Sequence, residues 1–114
     1  MFGITEQKIE KWKSKNNVNK IIEAMNNKNN AVRLSAIKAG ATMKNEKIYN
    51  ELIIFLNDPD SAIRACTVDA LGDMMYSRAQ DHLSYVSEND SDENVRKKAL
   101  EAMKKTIARK AKTN

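Results

Sequence analysis

Three arginines, Arg33, Arg64 and Arg96, stand 31 and 32 residues apart, and each belongs to the same short pattern. A β-branched residue precedes each one: Val32, Ile63 and Val95. Three positions later come Ala36, Thr67 and Ala99, four later Ile37, Val68 and Leu100, and six later Ala39, Ala70 and Ala102. Mostly apolar residues at −1, +3, +4, +6 and +7 trace one face of a helix rather than the alternation of a strand. A period of about thirty residues signals one supersecondary unit used repeatedly, each copy burying its apolar face only by stacking on a neighbour.

The match extends upstream. Met25 and Leu56 lie eight residues before the arginine, Ile22 and Ile53 eleven before, and Val18 and Tyr49 fifteen before. Val86, Leu83 and Ala79 enter the same columns if the third copy carries two extra residues in its turn, Ser87 to Glu93, with a link one residue shorter before it. Each copy then reads as two helices: about 17–25 with 30–43, 45–56 with 59–75, and 77–86 with 92–112. In the middle copy Asp58 is positioned to cap the second helix with Pro59 at its first residue, where a missing N–H costs nothing. A short leading helix, about Thr5 to Ser14, puts Ile9 and Trp12 on one face. Trp12, the one tryptophan, is expected to act as a lid over the open end, since arrays need end caps.

With three glycines and one proline, the chain has little of what many strand turns need. The expected fold is all-α: a short α-solenoid of three antiparallel helix pairs behind a short N-terminal capping helix. In a single domain over 1–114, residues 1–15 form the cap and 16–44, 45–75 and 76–112 the repeats.

The net charge of +5 conceals segregation. Residues 1–50 sum to +6, residues 51–94 to −8 and residues 95–114 to +7, so the basic excess belongs to the ends. The N-terminus lacks the basic-then-apolar order of a secretory signal, and the longest apolar run, Leu52 to Leu56, is too short to span a bilayer. Cys66 is the single cysteine, which excludes an internal disulfide and fits a small apolar helix residue in a reducing, cytoplasmic setting.

No catalytic constellation accompanies the repeat. His82, the single histidine, falls in the column of Ile21 and Leu52 and reads as a partly buried core or groove residue. One Cys and one His assemble no ordinary zinc site, and no Gly-rich phosphate loop or nucleophile elbow appears. Asp90, Asp92, Asn94 and Glu101 match positions of a calcium loop, but Val95 stands where that loop needs glycine and Arg96, Lys97 and Lys98 follow at once. Acids in the first turn of a helix, complementing its dipole, account for them better. Neither a cofactor nor a metal is expected.

With its repeats laid out, the chain resembles the HEAT repeat family, especially the short bacterial repeats of the phycobilisome-lyase-like type. Leu56-Asn57-Asp58-Pro59-Asp60-Ser61-Ala62-Ile63-Arg64, followed by Val68, Ala70, Leu71 and Gly72, carries the likeness. The resemblance implies a ladder between adjacent repeats, in which Asp58 and Asp90, six residues before Arg64 and Arg96, pair with those arginines. Asn27 holds that place before Arg33, so the ladder is expected to be weakest in the first copy, where a neutral amide accepts without charge assistance.

Such repeats imply a curved rod whose second helices line the inner surface, and a binding module more than a chemistry. The candidate groove positions follow each arginine at +1 and +5: Leu34, Ala65 and Lys97, then Lys38, Asp69 and Glu101. On the last helix Lys97 and Lys104 share a face, with Lys105 and Arg109 nearby. A non-enzymatic module for a protein or peptide partner is the leading expectation. Nucleic-acid binding through the basic ends is the alternative, and bilin-lyase-like activity, resting on the resemblance alone, the third.

Overall fold

Residues 3–113 are described by a computed structural model, with side chains through residue 108. Among them lie seven α-helices: α1 Glu6–Ser14, α2 Val18–Met25, α3 Asn30–Ala41, α4 Glu46–Phe55, α5 Ser61–Met74, α6 Gln80–Asn89 and α7 Glu93–Thr113. A single 3-10 turn, Ser77–Ala79, leads into α6. The described residues contain no strand, and the fold is an all-α short solenoid. Helix α2 pairs with α3, α4 with α5 and α6 with α7, while α3, α5 and α7 stack side by side as one layer. Helix α1 packs on α2 and α3 and covers the first pair. Its Ile9 is buried and Trp12 half-buried against the core. A radius of gyration of 14.0 Å slightly exceeds the ~13 Å of a compact chain this long.

One continuous core runs through the stack. Ile21, Met25, Ile37, Ile48, Leu52, Ile63, Val68, Leu71, Leu83 and Val95 are all fully enclosed. Because α3, α5 and α7 pack closely, small residues sit where they touch. A Cβ added to Gly72 would lie 2.9 Å from the Ala102 Cβ and 3.0 Å from its Cα. Gly72 is thus a contact residue within α5, and the helix ends later, at Met75, whose left-handed φ of 57° turns the chain. Lys44, 31 residues earlier, does the same with φ 51°.

The turns inside each repeat differ from the expected capping. Asp60, not Asp58, caps α5 by accepting from the Ala62 N–H at 2.8 Å. Asp58 lies two residues outside, accepting from the Asp60 N–H at 2.9 Å, and Pro59 sits between them ahead of the helix. The other copies repeat this double device. Asn27 accepts from Asn29, which caps α3, and Asp90 accepts from Asp92, which caps α7. An aspartate or asparagine can make either a local turn or a cap; the spacing of two lets one residue do each.

Register in the third copy also differs. Ile21, Leu52 and Leu83 are fully buried at a constant spacing of 31, and Ala24, Phe55 and Val86 keep the same period. The first helices therefore carry no shift, and one extra residue, not two, is absorbed at the C-terminal end of α6, which runs on to Asn89, past the position equivalent to Phe55. Counting back from Arg96 across a turn of unknown length loses helical phase. His82 consequently lies exposed on α6 while Leu83 takes the buried column.

Candidate functional site

The arginine columns connect repeats, but each reaches forward. Arg33 Nη2 donates to Asp58 Oδ2 at 2.8 Å, and Nε donates to the Met25 carbonyl at 2.9 Å. Its guanidinium also lies 4.9 Å from the Phe55 ring centroid. Arg64 grips Asp90 with two bonds, Nε to Oδ2 at 2.9 Å and Nη2 to Oδ1 at 3.1 Å. Toward Asp58, Arg64 uses only the backbone carbonyl, at 2.8 Å. Arg96 likewise donates to its own turn, the Asp90 carbonyl, at 2.6 Å. Among the described residues it pairs with no carboxylate.

The ladder therefore runs between adjacent repeats, as the resemblance implies, but through Arg33 with Asp58 and Arg64 with Asp90 rather than Asp58 with Arg64 and Asp90 with Arg96. The weak end moves as well. Asn27 is occupied by its own turn and Arg33 uses Asp58, so the unpaired ladder arginine is the last one. The reason is reach. An arginine at the start of a second helix spans its own turn with one N–H and extends the rest of the fork to the neighbouring turn.

Burial alone would raise the pKa of Asp90. The hydrogen bonds from Arg64 and the Asp92 N–H, with the attraction of Arg64 and Arg96, more than offset it and hold the carboxyl below its ordinary range. Asp58 is lowered in the same way, burial being overcome by the Asp60 N–H and Arg33.

The exposed surface of α3, α5 and α7 carries alternating charge. Lys98 Nζ lies 2.9 Å from Asp69 Oδ2 and Lys105 Nζ 2.8 Å from Asp73 Oδ1. Lys38, Asp69 and Glu101 are exposed along the same columns. Cys66 is half-buried at the centre, its Sγ 3.8 Å from the Leu34 carbonyl. Burial, the largest influence, raises its thiol pKa, which favours the protonated form. The surface column thus follows the arginine at +2 (Ser35, Cys66, Lys98), not at +1. Ala65 is buried, and Lys97 points to another side of α7. A signal for this was available: Lys98 and Lys105 are seven apart, the same facing as Asp69 and Asp73, which are four apart. Lys104 is exposed beside Lys97, and Arg109 lies outside the described side chains.

On the opposite layer, the splay of α4 from α6 opens a cleft of about 740 Å³ lined by Ile53, Leu56, Arg64, His82, Tyr85 and Asp90, among others. Outside its lining, Arg78 stacks 4.2 Å from the Tyr49 centroid and 5.0 Å from that of Tyr76 while bonding Glu46 at 2.6 Å. Among the described residues no group of three His, Cys, Asp or Glu is arranged to hold a metal. The acids of the calcium-like spacing serve the ladder and the cap of α7, and residues 93–101 are helix rather than loop. No described helix is long and apolar enough to cross a membrane.

The family model for HEAT repeats matches residues 12–104. A comparison with curated proteins finds no match.

Proposed function

The chain belongs to the HEAT repeat family, and from that premise we propose that it is a non-enzymatic interaction module binding a protein or peptide along the surface of α3, α5 and α7. The observation that carries this reading is the charge pattern of that surface. Lys38, Asp69, Asp73, Lys98, Glu101 and Lys105 alternate in sign across three stacked helices. Its two ion pairs, Asp69–Lys98 and Asp73–Lys105, are partly exposed. Such pairs contribute only about 0–1 kcal/mol each, so a partner with complementary charges exchanges them at little cost. Arrays of this kind present extended surfaces suited to such partners. Lys97, a groove candidate from sequence, is exposed on α7 and takes part in neither of these ion pairs.

The test is affinity capture from the native host with nuclease treatment, comparing wild type with Asp69→Lys and Lys38→Glu. A specific protein retained by wild type and lost from both variants supports the reading. Equal retention by all three, or turnover of a small molecule by the purified chain, overturns it. Capture that vanishes on nuclease treatment, with binding that weakens steeply in salt, would instead favour nucleic acid at the basic ends.

A further inference from the structure

The C-terminal end of the stack is built like an interior face that lost its neighbour. Leu100 occupies the column of Ile37 and Val68, both fully enclosed, yet it is 50 % exposed. Ile107, seven residues on, is 52 % exposed, and Met103 between them is half-buried. Residues 96, 100, 103 and 107 fall on one narrow stripe of α7 by helical spacing. In α5 the same stripe, Arg64, Val68 and Leu71, is the one covered by the third repeat. Arg96 opens the stripe as the ladder arginine without an acidic partner, and the exposed Lys97 and Lys104 flank it.

Another repeat in register does not fit there. Lys104 stands in the column of Ala41 and Gly72, where the neighbouring helix comes close enough that even a Cβ on Gly72 would crowd Ala102. End-to-end stacking of a second copy of this chain is also disfavoured, since both of its ends are strongly basic. What complements an apolar stripe edged by three cations is an amphipathic helix with aliphatic residues on one face and carboxylates beside them. We infer that the end face of α7, built from Arg96, Lys97, Leu100, Met103, Lys104 and Ile107, docks an acidic amphipathic helix of a partner protein. One of its carboxylates takes the place at Arg96 that Asp58 and Asp90 take at Arg33 and Arg64. The inference is independent of the proposed α3–α5–α7 surface, because the two lie on different sides of α7.

The probe is a fluorescently labelled synthetic helix with leucines on one face and flanking glutamates, titrated against the full chain at low salt. Controls are a scrambled peptide of the same composition and one with lysines for the glutamates. Wild type is expected to bind the designed helix at least about tenfold more tightly than either control, the factor that a difference of about 1.4 kcal/mol gives. Leu100→Asp, Ile107→Ser and Lys104→Glu should each weaken binding by about tenfold. Lys8→Glu, exposed on α1 at the other end of the stack, should not. The substituted side chains are exposed, so unchanged melting temperatures verify folding. Equal binding of the scrambled peptide, indifference to both Leu100→Asp and Ile107→Ser, or displacement of the helix by duplex DNA or anionic vesicles at lower concentration would overturn the inference.

Discussion

Replacing Arg64 by Ala tests the forward-reaching ladder most directly. The guanidinium donates twice to the Asp90 carboxylate and also to the Asp58 and Pro59 carbonyls. The paired side chains are 11 % and 7 % exposed. A charge-assisted bond contributes about 1.5–3 kcal/mol, and breaking a fully buried pair costs about 3–5 kcal/mol. Here the adjoining cleft admits water to the abandoned carboxylate, which still accepts from the Asp92 N–H. The loss should therefore lie near the lower bound, about 2–3 kcal/mol. For a chain of this length that lowers the melting temperature by about 10 °C. Arg33→Ala, which breaks one ion pair and a bond to the Met25 carbonyl, should cost about 1–2 kcal/mol and Arg96→Ala, which breaks a bond to a carbonyl alone, about 1 kcal/mol. Urea titrations followed by far-UV circular dichroism give all three. A double-mutant cycle of Arg64→Ala with Asp90→Ala isolates the pair and should return at least about 1 kcal/mol of coupling. Equal costs for Arg64→Ala and Arg96→Ala, or coupling within error of zero, would refute the reasoning.

The pH response follows from the same pair. Asp90 titrates lower in the folded chain than its ordinary value. Its contribution is complete above the unfolded pKa of about 3.9 and disappears as pH falls through the lower folded value. The stability gap between wild type and Asp90→Asn should therefore stay level from neutral pH down to mild acid and then close; a gap undiminished in strong acid would contradict this. Gly72→Ala should destabilise by about 1–3 kcal/mol through overpacking against Ala102. Gly40→Ala should cost less, because the atom it crowds, Ile48 Cγ2 at 3.0 Å, ends a side chain that can yield; thermal melts rank the two. Val68→Ala should cost about 2 kcal/mol, whereas Leu100→Ala in the equivalent column should stay within about 0.5 kcal/mol of wild type, since only one of those columns has a neighbour. Comparable losses at both sites would show that Leu100 is enclosed.

The readability of the candidate surface tracks how far each contact lies along the chain. Lys38, Asp69 and Glu101 could be placed because helical spacing fixes which residues share a face of one helix. Lys98 was signalled by its spacing of seven from Lys105, but that it meets Asp69 depends on how α7 packs on α5, where Gly72 and Ala102 come to close range. His82 was misplaced for a related reason. The turn before Arg96 absorbs its added residue by lengthening α6, and nothing local in that segment distinguishes this from a longer loop. The aspartates of the turns were legible as punctuation, but not which of each pair caps the helix.

The sequence by itself determined the number of repeats, the all-α class and the inward columns of α3 and α5, since these follow from a period of 31 or 32 residues and the 3.6-residue turn. Tertiary structure alone decided which aspartate each arginine holds. An arginine fork spans several ångströms from its backbone, far enough to reach its own turn or the next, and only the stacking of one repeat on another selects between them. That selection leaves Arg96, among the described residues, as the ladder arginine without a carboxylate, on the same stripe of α7 as the half-exposed Leu100.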